Sequence, residues 1–191
     1  MNPVEIIAAL LGVINMLLVI RRNIWNFPVA LVMVALYALV FHDVHLYGDM
    51  TLQGFFFAVN LYGWWAWSRV DRADGEIPVR RLGVAALIRW IIGIVVVTLL
   101  FGALLAGWTS AALPYPDAGV AVGSVAAQIL LARRFVENWP LWAAVDALAI
   151  AVYAAKGLYP TVCLYTLFLV LALIGWRSWA RAPRSQAAVP A

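Results

Sequence analysis

Asp146 lies well inside an apolar run of the sequence, and two tryptophans precede it at helical spacing. Trp139, Trp142 and Asp146 are three and four positions apart, so a helix places them on one face. A charge deep in a bilayer costs at least about 2.5–3.5 kcal/mol, and no lysine or arginine lies deep in an apolar run to pair with it. A bound cation would satisfy the carboxylate, and indole rings attract cations. The pattern predicts a site for a flat aromatic cation.

Gln53 and Asn60 place two amides in another apolar run, seven positions apart and hence on one helical face. They are predicted either to bind the solute or to hydrogen-bond between helices, and for Asn15 and Gln128 the interhelical role is the preferred interpretation. For Asp146 the alternative is a protonated carboxyl, or one bonded to a helix cap or backbone group. A phosphorylated solute would need arginine or lysine clamps, so we expect a neutral or cationic solute without phosphate.

The elements that carry these residues are too apolar for a water-soluble fold. Of 191 residues, 66% are hydrophobic and 12% are charged, whereas soluble domains are about half apolar and about a quarter charged. A helix that spans a bilayer needs about 17–25 residues. Seven apolar runs of about this length predict an all-α integral membrane protein with seven transmembrane helices: 4–20, 27–42, 50–68, 84–107, 117–132, 139–155 and 160–178.

The basic residues lie almost entirely on one side of the predicted membrane. With the N-terminus outside, the inner segments carry 12 of the 13 lysine and arginine residues, and only Lys156 falls outside. This asymmetry follows the positive-inside rule and predicts an outer N-terminus and an inner C-terminus. It also assigns the net charge of +4 to membrane topology, so no nucleic-acid partner is expected.

The sequence repeats itself with a shift of 112 residues and no gap. From 13 to 69, 18 of 57 positions are identical to their equivalents, and Arg21-Arg22 aligns with Arg133-Arg134. Each unit holds three spans and one span separates them, so both units point the same way through the membrane. Such 3+1+3 parallel repeats place a solute site near the midplane, where the two bundles meet.

The repeat divides the chain and separates packing residues from site residues. Residues common to both units are predicted to pack: Gly63 and Gly175 permit close helix contact. Four tryptophans are predicted to form a belt at the inner membrane surface: Trp64, Trp67, Trp176 and Trp179. A solute lacks the symmetry of the repeat, so residues found in one unit should bind it. The predicted parts are a first triple-helix bundle (1–69), a linker with a linking helix (70–112), a second triple-helix bundle (113–181) and a disordered cytoplasmic tail (182–191).

Other classes of protein fit the residues less well. An enzyme would need a nucleophile and base, paired carboxylates or a metal cluster, and we expect none of these, no metal site and no cofactor. His42 and His45 flank Asp43 in a short outer segment, where a solvated loop is the preferred interpretation. A proton-coupled carrier stays open because Asp146 can titrate, and a scaffold that transports nothing is the remaining alternative.

Four motifs carry a family resemblance: Trp25-Asn26-Phe27-Pro28, Tyr47-Gly48-Asp49-Met50, Tyr62-Gly63-Trp64-Trp65, and Trp139-Pro140-Leu141-Trp142 followed by Asp146. Together they resemble the PnuC family of vitamin transporters, over about residues 4–181. The resemblance implies a multi-pass protein of the bacterial inner membrane that takes up nicotinamide riboside by facilitated diffusion. It also implies a cytoplasmic kinase that traps the product as its phosphate. Some relatives carry thiamine, riboflavin or deoxynucleosides, and a homo-oligomer is left open.

Overall fold

The computed structural model describes residues 3–43, 45, 47–70, 77–109 and 112–182. Over these ranges the chain forms seven α-helices and no β-strand, which confirms the predicted all-α fold. Most of the predicted tail (183–191) and residues 71–76 lie outside the described residues. The helices are α1 (Pro3–Ile20), α2 (Asn26–Asp43), α3 (Tyr47–Ser68), α4 (Val84–Trp108), α5 (Pro114–Ala132), α6 (Asn138–Ala155) and α7 (Tyr159–Ala180).

The first helix of each unit ends in the same way. Arg22 follows α1 and Arg134 follows α5, and both adopt left-handed backbone conformations, with φ of 52° and 66°. This conformation commonly closes a helix C-terminus. The next helix then begins at an asparagine whose Nδ2 donates to the carbonyl three residues earlier, at 2.7 Å for Asn26 and 2.6 Å for Asn138. We call the end of the bundle that carries Arg22, Arg80 and Arg134 the arginine end.

Six of the helices form a closed ring, and the linking helix lies outside it. Around the ring, the packing order is α1, α2, α3, α5, α6, α7 and back to α1, while α4 packs against α5. The two contacts between the units, α3 with α5 and α1 with α7, become each other under the 112-residue shift. The repeat is therefore present in the packing as well as in the sequence.

The outer surface of the bundle is apolar, as a lipid-facing surface must be. Four helices (α2, α4, α5 and α7) are long and apolar enough to cross a membrane, and α1 contains a shorter apolar stretch, Ile6–Ile20. The linking helix α4 buries only Gly102 among its 25 residues. In α3 and α6, Asn60 and Asp146 are polar residues buried in the middle of apolar helices. The chain is a multi-pass membrane protein.

Aromatic side chains join the two bundles at the arginine end. Phe27 meets Trp67 edge-on, with ring centroids 5.0 Å apart, and its equivalent Trp139 meets Trp179 edge-on at 5.5 Å. Trp67 and Trp179 lie 6.0 Å from each other. All four side chains are fully buried. Ring contacts therefore run without a break from one bundle to the other.

The prediction of a tryptophan belt is wrong for two of its four members. Trp67 Nε1 donates to the carbonyl of Ala132, and Trp179 Nε1 donates to the carbonyl of Val19, both at 3.0 Å. These acceptors lie in the last turns of α5 and α1, where carbonyls lack partners within their own helix. The indoles are thus buried because the opposite bundle satisfies their polar atom. The other two tryptophans stay exposed: Trp64 and Trp176.

The two shared glycines make room for this aromatic cluster, as predicted. A Cβ added at Gly63 would overlap the ring of Phe27, and a Cβ at Gly175 would overlap the indole of Trp139. Phe27 and Trp139 are equivalent positions, so the same ring-on-glycine contact occurs once in each bundle. Only glycine lets the third helix of each unit approach the second this closely.

Candidate functional site

A cavity of about 220 Å³ lies inside the ring, where the two bundles meet. Four of the five residues predicted to bind the solute line it: Trp142, Asp146, Gln53 and Asn60. Trp139 does not. The first two come from α6 of the second bundle, and the amides come from α3 of the first, so neither bundle forms the site alone.

Most of the cavity wall consists of pairs of equivalent positions. Fourteen of its 19 lining residues pair under the 112-residue shift, so the symmetry axis of the repeat passes through the cavity. Phe56 and Phe168 are one such pair, identical in both bundles. Five pairs differ in chemistry instead: Val34 with Asp146, Ala30 with Trp142, Gln53 with Tyr165, Met16 with Gln128, and Gly12 with Ser124. A symmetric shell thus carries an asymmetric set of polar and aromatic groups, as a solute without twofold symmetry requires.

Asp146 is the one acidic residue in the described lining of the cavity. It lies in the middle of α6 and is only 2% exposed. Its Oδ2 has no hydrogen-bond partner among the described residues, and the cavity lining contains no lysine or arginine. A buried charge without a partner is strongly unfavourable. The described protein groups therefore leave this carboxyl group to be satisfied by a cation or a donor in the cavity, or by its own proton.

Trp142 lies one helical turn before Asp146 on α6. Its indole is half-buried and lines the cavity. Since α6 brings residues four apart onto the same face, the indole ring and the carboxylate border the same part of the cavity. A tryptophan face next to a carboxylate can hold a cationic aromatic ring through both charge and π-electrons.

Trp139 does not line the cavity, so the structure does not place it beside Trp142 for stacking on a solute. It is fully buried, with 0% exposure, and packs edge-on against Trp179 and over Gly175. Trp139 does share a helical face with Asp146, but it lies about 10 Å further toward the arginine end. At that depth the ring of helices is filled by the aromatic cluster. Its equivalent in the first unit, Phe27, is also aromatic, which is a sequence signal for a packing role.

Asn60 makes the interhelical hydrogen bond that was one of its two predicted roles, and it also lies at the cavity. It lines the cavity and is almost completely buried. Its Nδ2 donates to the carbonyl of Phe56 at 2.8 Å, and its Oδ1 accepts a hydrogen bond from Gln128 Nε2 at 3.0 Å. The amide of Asn60 is therefore largely committed to protein partners, and it links α3 to α5.

Gln128 was expected to serve only as an interhelical link, but it also lines the cavity. Because its Nε2 donates to Asn60, the orientation of the amide is set and its Oε1 is left as an acceptor. Asn15 has the same double role, since its Nδ2 donates to the carbonyl of Asn26 at 2.7 Å while it lines the cavity. The signal for Gln128 in the sequence was its equivalent, Met16, which lacks a polar group.

Val19 and Leu131, again equivalent positions, form the floor of the cavity toward the arginine end. Both residues also belong to the buried cluster that contains Trp67, Trp139 and Trp179. The cavity is therefore closed on this side by packed side chains.

The chain is similar over nearly its whole length to known transporters. The family model described as "Nicotinamide mononucleotide transporter" matches residues 2–181. The nicotinamide riboside transporter PnuC of Escherichia coli (strain K12) is 28% identical, over 96% of this chain and 87% of that protein. The riboflavin/roseoflavin transporter RibM of Streptomyces davaonensis is 34% identical, over 92% of this chain and 83% of that protein.

A solved structure has the same fold. The crystal structure of the vitamin B3 transporter PnuC superposes with a TM-score of 0.77 at 27% identity, over 94% of this chain and 83% of that one. These relatives are transporters rather than enzymes. In this chain the shared fold encloses a cavity between the two bundles. The chain belongs to the PnuC family of membrane vitamin transporters.

Proposed function

We propose that this protein takes up nicotinamide riboside by facilitated diffusion. The observation that carries the proposal is the carboxylate of Asp146, buried beside Trp142 in a cavity whose lining has no basic residue. Nicotinamide riboside presents a flat pyridinium cation, which suits both groups. Its ribose hydroxyls need amide partners, and Gln53 and the free Oε1 of Gln128 supply them, while Asn60 positions Gln128.

The absence of arginine and lysine from the described lining argues against the phosphorylated nucleotide named by the family model. A phosphate would meet Asp146 without a basic clamp, and charge repulsion would oppose its binding. A cytoplasmic kinase that phosphorylates the riboside would therefore prevent its return through the same cavity. The net flux would then follow the rate of phosphorylation.

The orientation that fits this role places the arginine end in the cytoplasm. The positive-inside distribution of basic residues supports an outer N-terminus and an inner C-terminus in a bacterial inner membrane. Lys156, at the end of α6, forms an ion pair with Asp117 of α5 at 2.7 Å, and this pair then lies at the outer end. Entry occurs from outside, and the two bundles rock to open the arginine end.

Riboflavin and thiamine are the competing solutes. The 34% identity to RibM favours a flavin, whose flat ring also suits Trp142. A flavin is neutral, however, and leaves Asp146 without a counter-charge. Thiamine shares the cationic aromatic ring but has no ribose for the amides. The carboxylate of Asp146 favours a cation over the neutral flavin, and the amides favour the riboside over thiamine.

Binding and flux measurements on the purified protein test the proposal. Titration with nicotinamide riboside, its 5′-phosphate, thiamine and riboflavin should rank the riboside first and the phosphate last. In proteoliposomes, uptake should follow the riboside gradient and should not change when a pH gradient is imposed. Equal binding of the phosphate would contradict the assignment. Flux driven by the pH gradient would favour the proton-coupled alternative, and no binding or flux with any solute would favour a scaffold.

A further inference from the structure

The linker between the bundles enters the core of the protein at the arginine end. Residues 77–80, here called the strap, run across this end before α4 begins. Ile77 is 4% exposed and Val79 is 1% exposed, and Pro78 is also buried. A loop on a membrane surface would normally be solvated. The strap is instead part of the packed interior.

Hydrogen bonds hold the strap from both bundles. Arg22 of the first unit donates through a terminal guanidinium nitrogen to the carbonyl of Ile77, at 3.1 Å. Its equivalent, Arg134 of the second unit, donates in the same way to the carbonyl of Pro78, also at 3.1 Å. Two arginines related by the repeat thus bind adjacent carbonyls of one short segment. Both arginines also share the left-handed backbone conformation.

The second bundle adds a backbone contact. The amide of Arg80 donates to the carbonyl of Arg134 at 2.8 Å, and the amide of Val136 donates to the carbonyl of Arg80 at 2.9 Å. The guanidinium of Arg80 lies over the ring of Phe135, 4.9 Å from its centroid. Burial lowers the pKa of Arg134, and the charge of Arg80 lowers it further. The strap is therefore bonded to the backbone of the second bundle as well as to the two arginine side chains.

The strap lies directly behind the floor of the cavity. Ile77 and Val79 belong to the same buried cluster as Val19 and Leu131, the two residues that close the cavity toward the arginine end. The bundles cannot separate at this end while each holds one of two adjacent carbonyls. Opening the floor therefore requires that at least one arginine release the strap.

We propose that the strap is the gate of the carrier at the arginine end: held by Arg22 and Arg134 it seals the cavity, and released it lets the solute leave on that side. This inference rests on the proposed transport through the central cavity. It does not depend on which vitamin is carried. The linker would thus close the cavity at the arginine end, in addition to joining two units of the same orientation.

Cysteine accessibility tests the gate without a solute. In a Cys163→Ala background, Ser124→Cys places a thiol in the cavity with a near-isosteric change, and Val79→Cys places one in the strap. A membrane-impermeant thiol reagent is applied to vesicles of each orientation. Ser68→Cys, exposed at the arginine end, identifies the vesicles that present this face. In the parent, reagent from the arginine end should modify neither Ser124→Cys nor Val79→Cys quickly.

Removal of both arginine side chains from the strap should open the cavity. Arg22→Gln with Arg134→Gln is expected to raise both labelling rates from the arginine end by about tenfold or more, as a local opening becomes easier. The matched control is Arg21→Gln with Arg133→Gln. It removes the same charge from the neighbouring exposed positions and leaves the strap bonds intact. This control should label like the parent.

Three results would overturn the gate. They are equal labelling of Ser124→Cys in the parent and in Arg22→Gln/Arg134→Gln, faster labelling of Val79→Cys alone, and an equal rise in the Arg21→Gln/Arg133→Gln control. If the double variant does not fold, Arg22→Gln and Arg134→Gln are labelled as single variants. Arg134→Lys, which keeps a cationic donor, is then the control for Arg134→Gln. A protein that fails to bind nicotinamide riboside but labels as expected would refute the proposed solute and leave the gate standing.

Discussion

The indole of Trp139 lies on Gly175 so closely that a Cβ added to the glycine would overlap its six-membered ring. The two residues come from the second and third helices of the second bundle. Their equivalents in the first bundle, Phe27 and Gly63, form the same contact. A ring packed on a glycine is therefore an element of the repeat. It fixes the spacing of helices beneath the cavity.

Gly175→Ala and Gly63→Ala should each destabilise the bundle, because the methyl group has no space. Overpacking of a filled core costs about 1–3 kcal/mol. Thermal unfolding in detergent would measure this as a lower melting temperature. The matched control is Gly54→Ala in the same helix as Gly63, where an added Cβ meets nothing within 4 Å. An equal loss of stability in all three variants would contradict the packing role.

Trp139→Ala and Trp142→Ala should affect different properties, although the two residues are three positions apart. Loss of a fully buried tryptophan costs about 3–5 kcal/mol, so Trp139→Ala should unfold at a much lower temperature. Trp142→Ala should keep most of its stability and lose affinity for nicotinamide riboside by about tenfold or more. Melting temperature and dissociation constant measured on both variants separate the two roles. Trp139→Phe, which copies the equivalent Phe27, should be mild in both assays.

The fold was predictable because its signals are local. Apolar runs, the breaks between them and the Arg-Arg pairs each depend on neighbouring residues, and the repeat adds a second copy of every signal. Most of the proposed site was also predictable, since Asp146 and Gln53 differ in polarity or size from Val34 and Tyr165, their equivalents. Comparison between the two units thus separated the candidate residues from packing residues.

Depth within the bundle was not predictable in the same way. Helical spacing places Trp139 and Asp146 on one face, but only the closure of six helices decides that one fills the core and the other meets the cavity. The strap was missed for a similar reason. A linker with a proline and many charges resembles a solvated loop in sequence, and its burial depends on Arg22 and Arg134, which are 112 positions apart.

Asp146→Asn should weaken the binding of a cation while keeping the shape of the cavity. Loss of the only carboxylate in the described lining should raise the dissociation constant of nicotinamide riboside by about tenfold or more, equivalent to about 1.4 kcal/mol. The reduced dihydro form of the riboside has the same outline without the charge, so its affinity should change much less. Isothermal titration with both ligands would measure the difference. The control is Asp117→Asn, whose carboxylate pairs with Lys156 away from the cavity.

Gln128→Met should lower the affinity for ribosides by removing the acceptor that Asn60 holds in place. Methionine is the residue at the equivalent position, Met16, so it should be accommodated there. One lost hydrogen bond of about 0.5–1.5 kcal/mol corresponds to a roughly two- to thirteenfold weaker affinity. Asn60→Leu should weaken binding through the same amide. The loss of binding free energy in the double variant should be smaller than the sum of the two single losses by about 0.5 kcal/mol or more. Strictly additive losses would mean that Asn60 does not position Gln128, and unchanged affinity in Gln128→Met would remove that amide from the site.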